Sequence, residues 1–564
     1  MAACSRTFID AGMQAQLTRN PAIRLWQTLS TGGLLVATVF FAASLTPSLI
    51  PRSHITQGIL SGFACAAGYG VGVAGFWLWR YLELPRGSTR LVRRARIAAT
   101  IICLAIAFVF LWRATAWQNS IRNLMGMTPV ESIYPFTVGQ LTLAILIVLI
   151  ALARLFRLTW RAVTTRLRPF IPRRIANVIG IAVAAVLFIG IGNGVLLRYA
   201  LHIAEGSFRT LDSLMEPDVS QPADPAKTGS AASLISWDDL GRAGRNFISS
   251  GPSQKDIETF LGRKALAPIR VYAGLGSADA PQARAKLALA ELKRVGGFER
   301  SALIIATPTG TGWMDPAAVD TLDYLEGGDV ATVAIQYSYL ASWLSLLVEP
   351  EYGGEAARAL FSEVYGYWTN LPKDHRPKLY LYGLSLGAMN SQRSNELFEV
   401  LADPYQGALW AGPPFSSQPW GSITRQRNPG SPVWLPRFRD GSYVRFTSQT
   451  DALAIPGAHW GPMRIVYLQY ASDPIVFFDA LSIYRPPAWM HQPRGPDVSP
   501  ALRWYPIVSF LQSLVDMAIA TTTPAGYGHV YAPQHYIDAW LEVLGAKDWS
   551  APEIARLKQH FAKL

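Results

Sequence analysis

The chain has 564 residues; half are hydrophobic, only 16% are charged, the formal net charge is +13 and the mean hydropathy is +0.19. A soluble globular chain carries about 25% charge, so this composition excludes a disordered, coiled-coil or collagen-like protein and points to a membrane. The three cysteines (Cys4, Cys65 and Cys103) all lie near the N-terminus, which excludes a disulfide scaffold, a Cys-rich zinc site or a Cys nucleophile in the C-terminal half.

The positive charge is unevenly placed. Residues 1–200 carry 20 Arg, no Lys and three acids (Asp10, Glu83, Glu131), so the remainder of the chain is net acidic. The global pI near 9.6 therefore reflects the flanks of apolar segments and gives no reason to expect a nucleic-acid partner.

After an N-terminal segment over 1–28, a transmembrane domain is predicted over 29–198. Five stretches approach the roughly 20 apolar residues that a helix needs to cross a bilayer: Leu29 to Ile50, Gln57 to Trp79, Ile97 to Trp112, Val138 to Ala153, and Ile175 to Leu197. The third and fourth are short unless their flanks are included. In the first, Pro47 and Pro51 sit in the run Ser44 to Arg52; they fit a helix end at the interface or a shaped groove for a lipid. Gly68, Gly70, Gly72 and Gly75 in the second suit close helix packing. Arginines crowd the loop between spans two and three (Arg80 to Arg96) and that between four and five (Arg154 to Arg174), and the other loops are poor in them. Loops rich in Lys and Arg stay cytoplasmic. Five spans then put 1–28 in the cytoplasm and everything after Leu197 on the outer face of the inner (plasma) membrane. The spans hold no run of ionisable residues, which favours an anchor or lipid-facing module over an ion-coupled pump.

A linker with lead-in helices follows over 199–267, with Pro217, Pro222 and Pro225. From 268 to 564, short apolar runs alternate with helical periods. The runs are Ile269 to Ala273, Ala302 to Ala306, Ala331 to Tyr337, Leu379 to Tyr382, Gly407 to Trp410 and Ile465 to Tyr470. The helical stretches are Pro281 to Val295, Ala317 to Leu325, Glu355 to Thr369 and Met389 to Leu401. Such alternation predicts a mostly parallel sheet with helices on both faces.

Gly383-Leu384-Ser385-Leu386-Gly387 follows the fourth of these strands and opens a helix. A nucleophile elbow needs this arrangement: a serine in a strained strand-to-helix turn, with glycines clearing space around it. A serine needs a base and the base an orienting acid. His529, in Gly528-His529-Val530, is the predicted base; His535 sits inside the following helix and reads as packing. Asp473 is the predicted acid because it follows the last strand, with a helix cap before Pro474 as the other reading. Asp479 and Asp451 are its rivals. For the oxyanion, one donor is the amide of Leu386. A second is sought in the loop Thr307 to Trp313 among Gly310, Thr311 and Gly312, which reads otherwise as a plain turn. Trp313, Trp343, Leu344, Leu347, Trp410 and Phe415 follow predicted strand ends and fit either core or an acyl groove.

The order Ser385, Asp473, His529 resembles the α/β-hydrolase superfamily. More closely, the run Ser44 to Arg52, the loop Thr307 to Trp313 and the elbow Gly383 to Gly387 resemble a bacterial family of polytopic membrane α/β-hydrolases, over most of the chain. The resemblance implies a serine hydrolase. This chain departs from the superfamily pattern in showing no clear strand before His529; an apolar helix over Trp504 to Ala520 stands there instead, placed to cap the site. The expected chemistry is hydrolysis of an ester, with a lipid or lipid-linked acyl substrate, the bilayer as partner and no cofactor or metal. Acyl transfer through the same serine, and a non-catalytic membrane scaffold, are the alternatives.

Overall fold

The computed structural model describes residues 29–85, 88–192, 212, 215–216, 218–340 and 351–563. The N-terminal segment 1–28, the end of the fifth predicted span, most of the lead-out that follows it, and Trp343, Leu344 and Leu347 lie outside these residues.

The N-terminal half contains helices α1 (Thr31–Ser44), α2 (His54–Tyr81), α3 (Thr89–Leu124), α4 (Pro135–Leu167) and α5 (Arg173–Ile189). Four helices, α2 to α4 and the α5 stretch taken to Gly192, are long and apolar enough to cross a membrane. Serines 30, 53 and 88 cap the first three helices by accepting an amide of the opening turn. The third and fourth spans are longer than predicted, at 36 and 33 residues, because the Arg-bearing flanks hold no proline to stop them. The first is shorter. α1 has 14 residues, about 21 Å at 1.5 Å per residue, against a bilayer core of about 30 Å. It stops at Ser44, ahead of the two prolines, and Leu45 to Arg52 leave as an irregular segment. α2 is the packing hub. A Cβ on Gly72 would lie 2.7 Å from the Cα of Gly33 in α1, and one on Gly62 would lie 2.6 Å from the Cβ of Ile145 in α4. Gly70 and Gly75 face open space, so only part of the glycine series serves packing.

The C-terminal half is built on β1 (Ile269–Ala273), β2 (Ala302–Thr307), β3 (Val330–Ile335), β4 (Lys378–Leu384), β5 (Gly407–Ala411), β6 (Val444–Thr447) and β7 (Arg464–Leu468). The order is β1-β3-β2-β4-β5-β7-β6, and every pairing is parallel. The strands are buried almost throughout, as a sheet covered on both faces requires. Pro281–Arg294, Tyr352–Thr369 and Leu386–Gln392 pack together in one layer, and Pro316–Leu325 and Pro533–Leu544 in another. β6 escapes the sequence because its four residues follow a Pro- and Gly-rich stretch. The helix predicted over Met389 to Leu401 is two, Leu386–Gln392 and Leu397–Val400.

The halves meet where the segment after α1 docks on the helix Val508–Ala518. Asp516 accepts from Ser48 Oγ (2.8 Å) and from the Leu49 amide (2.9 Å), and Gln512 Nε2 donates to the Thr46 carbonyl (3.0 Å). Ser120, near the end of α3, pairs with Ser499 at 2.8 Å. Burial pushes the Asp516 carboxyl up to about 6. Asp516→Ala strands two buried donors, each worth about 1–3 kcal/mol when left unsatisfied. It should lower stability by about 2–4 kcal/mol, read as an earlier chemical-denaturation midpoint of the solubilised protein; an unchanged midpoint would show that the contact carries nothing.

Candidate functional site

β4 ends at Leu384, and the next residue, Ser385, takes φ +58° and ψ −125°. That backbone region is unfavourable for any residue with a Cβ. It persists because both ends of the turn are held: the Ser385 amide donates to the Ala411 carbonyl of β5 (2.9 Å), and its carbonyl accepts from Met389 (3.1 Å) in the helix Leu386–Gln392. The two glycines of the motif are required by contact. A Cβ on Gly383 would come within 2.4 Å of the Gly387 backbone, and one on Gly387 would come within 2.2 Å of the Thr307 carbonyl. The Gly-x-Ser-x-Gly spacing is thus the spacing at which strand, turn and helix can fold back on β2. Ser385 is nearly buried.

Gly387 also brings the loop after β2 against the elbow, since the Pro308 carbonyl lies 2.8 Å from its ideal Cβ position. In that loop the Gly312 amide donates to the Thr309 carbonyl (2.9 Å) with φ +81°, and its own carbonyl accepts from Tyr272 Oη (2.7 Å). Gly312 therefore shapes the turn, and its amide is already committed. Thr311 is the other candidate donor there, and Gly310 has a contact of its own. Leu386, first in its helix, has no carbonyl one turn back for its amide to meet.

Asp473 follows β7 and is fully buried. Its two oxygens have different partners. Oδ1 caps the helix Pro474–Phe477 through the Ile475 amide (2.8 Å). Oδ2 contacts His529 Nδ1 (2.7 Å) and accepts from Tyr531 Oη (2.7 Å). The rivals are elsewhere engaged: Asp479 and Asp451 each accept a local backbone amide. His535 pairs with Tyr470 Oη at 2.6 Å, and burial pushes it down to about 4.

No strand precedes His529. Its segment is a tight loop with one isolated bridge between Tyr527 and Val530. The His529 amide donates to the Ala520 carbonyl (3.0 Å), and the Gly528 amide to Ser472 Oγ (2.9 Å), next to Asp473. Gly528 has φ +55° and sits so close that a Cβ would meet Thr523 Oγ1 at 2.6 Å. With Nδ1 donating to the carboxylate, Nε2 is the imidazole acceptor. It is buried and without a hydrogen-bond partner, so no bond joins it to Ser385 in this arrangement; such pairs are often long before substrate binds. The two residues converge at the end of β5. Ser385 is held by Ala411, and a Cβ on the next residue, Gly412, would lie 2.8 Å from His529 Cε1. Of the expected groove residues, Trp410 is buried core bonded to Ser391, whereas Trp313 and Phe415 are partly exposed.

Tyr531, Ser472 and Asp315 were not found from sequence, and none had a motif to reveal it. Asp315 caps the helix Pro316–Leu325 and accepts from Tyr536 Oη (3.0 Å). Among the described residues, no group of three or more His, Cys, Asp or Glu side chains could hold a metal.

The family model described as Alpha/beta-hydrolase family matches residues 269–557, just over half of the chain, and that described as Alpha/beta-hydrolase family N-terminus matches residues 45–252. Comparison with curated proteins and with solved structures gave no match.

Burial raises the Asp315 carboxyl from 3.8 to about 7. The folded state therefore holds this proton more tightly than the unfolded chain. The resulting stabilisation is complete below about pH 4 and is lost as pH rises through about 7. Asp315→Asn keeps an acceptor for Tyr536 and removes the titration, so its stability should fall less than the parent's between pH 4 and 7. Parallel curves of melting temperature against pH would sink this reading.

Proposed function

The chain belongs to the Alpha/beta-hydrolase family, and from that membership we propose that it is a membrane-anchored serine hydrolase acting on acyl esters of lipids or lipid-linked molecules. Ser385 Oγ attacks the acyl carbonyl, and His529 Nε2 takes the serine proton. Asp473 holds the imidazole in the tautomer that leaves Nε2 free to accept, and stabilises the imidazolium that forms. The Leu386 amide and one amide of the loop Thr307 to Trp313 receive the developing oxyanion. The imidazolium returns its proton to the departing alcohol, leaving an acyl-enzyme on Ser385. Water, deprotonated by the same imidazole, then releases the acid. The observation that carries this reading is the pairing of a strained, β5-anchored serine with a histidine whose Nδ1 is held by a buried carboxylate and whose Nε2 has no partner.

Ser385→Ala should abolish both labelling by a fluorophosphonate probe and turnover of short acyl esters. His529→Ala should match it in size, because members of such a unit fail together. Ester turnover that survives in Ser385→Ala would end the proposal.

The catalytic domain is read as facing away from the cytoplasm. Span counting is not the only support. The segments that touch it, Leu45 to Arg52 and the end of α3, belong to the Arg-poor ends of the helices. Arg80 and the Arg154 to Arg174 series lie at the other ends; α2 alone, with 28 residues, spans about 42 Å. A fluorescent protein that matures only in the cytoplasm should stay dark when fused after Leu564, and a bright fusion would reverse the orientation.

A further inference from the structure

The helix Val508–Ala518 is amphipathic the wrong way round for a protein in water. Its buried positions include Ser509, Gln512, Ser513 and Asp516, at the i, i+3, i+4, i+7 spacing that ordinarily marks an apolar face. Its opposite stripe is Phe510, Leu511, Leu514, Met517 and Ala518, all partly or well exposed, Leu514 at 38%. The polar stripe is satisfied: Gln512 and Asp516 bond the segment after α1, and Ser509 Oγ accepts the Tyr505 amide. Local packing therefore accounts for the inward polar face and leaves Leu514 and Ala518 of the outward one exposed, with Phe510 at its edge against Phe478. The helix also packs across α1 and α2, the second of which is long and apolar enough to span a membrane. Its apolar stripe thus lies beside helices of which one is apolar enough to cross a membrane.

The same stripe leads to the candidate site. The Phe510 ring stands 5.8 Å from Phe478, and Phe478 stands 4.9 Å from Phe415. The Phe415 amide bonds the Ile475 carbonyl (3.0 Å), two residues past Asp473. The next residue, Ser416, donates to Met389 Sδ (3.4 Å) in the helix that Ser385 opens. Leu481 and Ile483, beside this row, are 38% and 39% exposed.

We propose that the helix Val508–Ala518 lies in the outer face of the bilayer with its apolar stripe in the acyl chains, and that the row Phe510, Phe478, Phe415 is the side door through which a bilayer-resident acyl chain reaches Ser385. The route rests on the hydrolase reading above and assigns its substrate class: lipids that stay in the membrane while they react. The inverted helix serves both ends of this arrangement. Its polar stripe grips the membrane domain, and its apolar stripe keeps the rim of the site at lipid depth, so the substrate chain need not cross water.

The test uses the full chain in bilayer nanodiscs. A nitroxide is placed on Leu514→Cys with Cys4, Cys65 and Cys103 changed to Ala, and a parallel label is placed on Phe510→Cys. The expected result is strong relaxation by oxygen and shielding from an aqueous nickel chelate; a label open to the chelate at both positions would overturn the insertion. In parallel, Leu514→Glu is assayed on a long-chain fluorogenic ester embedded in the disc and on a water-soluble butyrate ester. Turnover of the embedded ester should fall at least tenfold while the butyrate rate stays within about twofold. Equal loss on both, or loss on neither, would overturn the side door. A parent protein silent on both esters would instead refute the hydrolase reading and remove the route, while the nitroxide would still decide the insertion by itself.

Discussion

A single buried carboxylate ties the end of the sheet to a loop more than 50 residues on. Asp473 stands at the end of β7, caps the following helix with one oxygen and gathers His529 and Tyr531 with the other. Removing it would release a helix start, an imidazole and a phenol together. A buried charge survives only where its acceptors are used, and here a helix start and two side chains of one loop use them. The absence of a strand before His529 matters less for that reason. A loop pinned by Ala520, Ser472 and Asp473 does the work of positioning that a strand would otherwise do.

The serine side of the site is set by crowding. Gly383 and Gly387, either side of Ser385, lie where β4, its helix and the loop after β2 approach more closely than a Cβ allows. The strain at Ser385 is held by hydrogen bonds at both its amide and its carbonyl. The site therefore combines a rigid, sterically determined serine with a histidine held by a buried carboxylate.

The contact between the halves inverts the usual distribution of polarity. Polar groups of Val508–Ala518 point inward because the segment after α1, stripped of helical hydrogen bonds by Pro47 and Pro51, offers free backbone groups that need partners. The prolines first seen as a helix stop thus create the donors and acceptors on which the C-terminal domain docks. Docking at the Arg-poor ends of the helices, in turn, links the fold of one half to the membrane orientation of the other.

Much of this was legible in the sequence. Hydrophobic run length marked the apolar helices, strand–helix alternation marked the parallel sheet, and the elbow stood out because its glycines are dictated by local backbone geometry. Asp473 and His529 could be ranked because strand ends and glycine-flanked loops are local features too. The length of α1, the existence of β6, the second role of Asp473, the turn that occupies the Gly312 amide and the contact of Tyr531 could not be read that way. Each depends on which distant groups are left needing a hydrogen bond or a neighbour. The helix Val508–Ala518 shows the difference most sharply: its sequence declares an apolar helix, and only the partners waiting at Thr46, Ser48 and Leu49 decide that its polar side faces inward. Periodicity is written in consecutive residues, whereas the sign of a helix face is decided by whatever the rest of the chain brings against it.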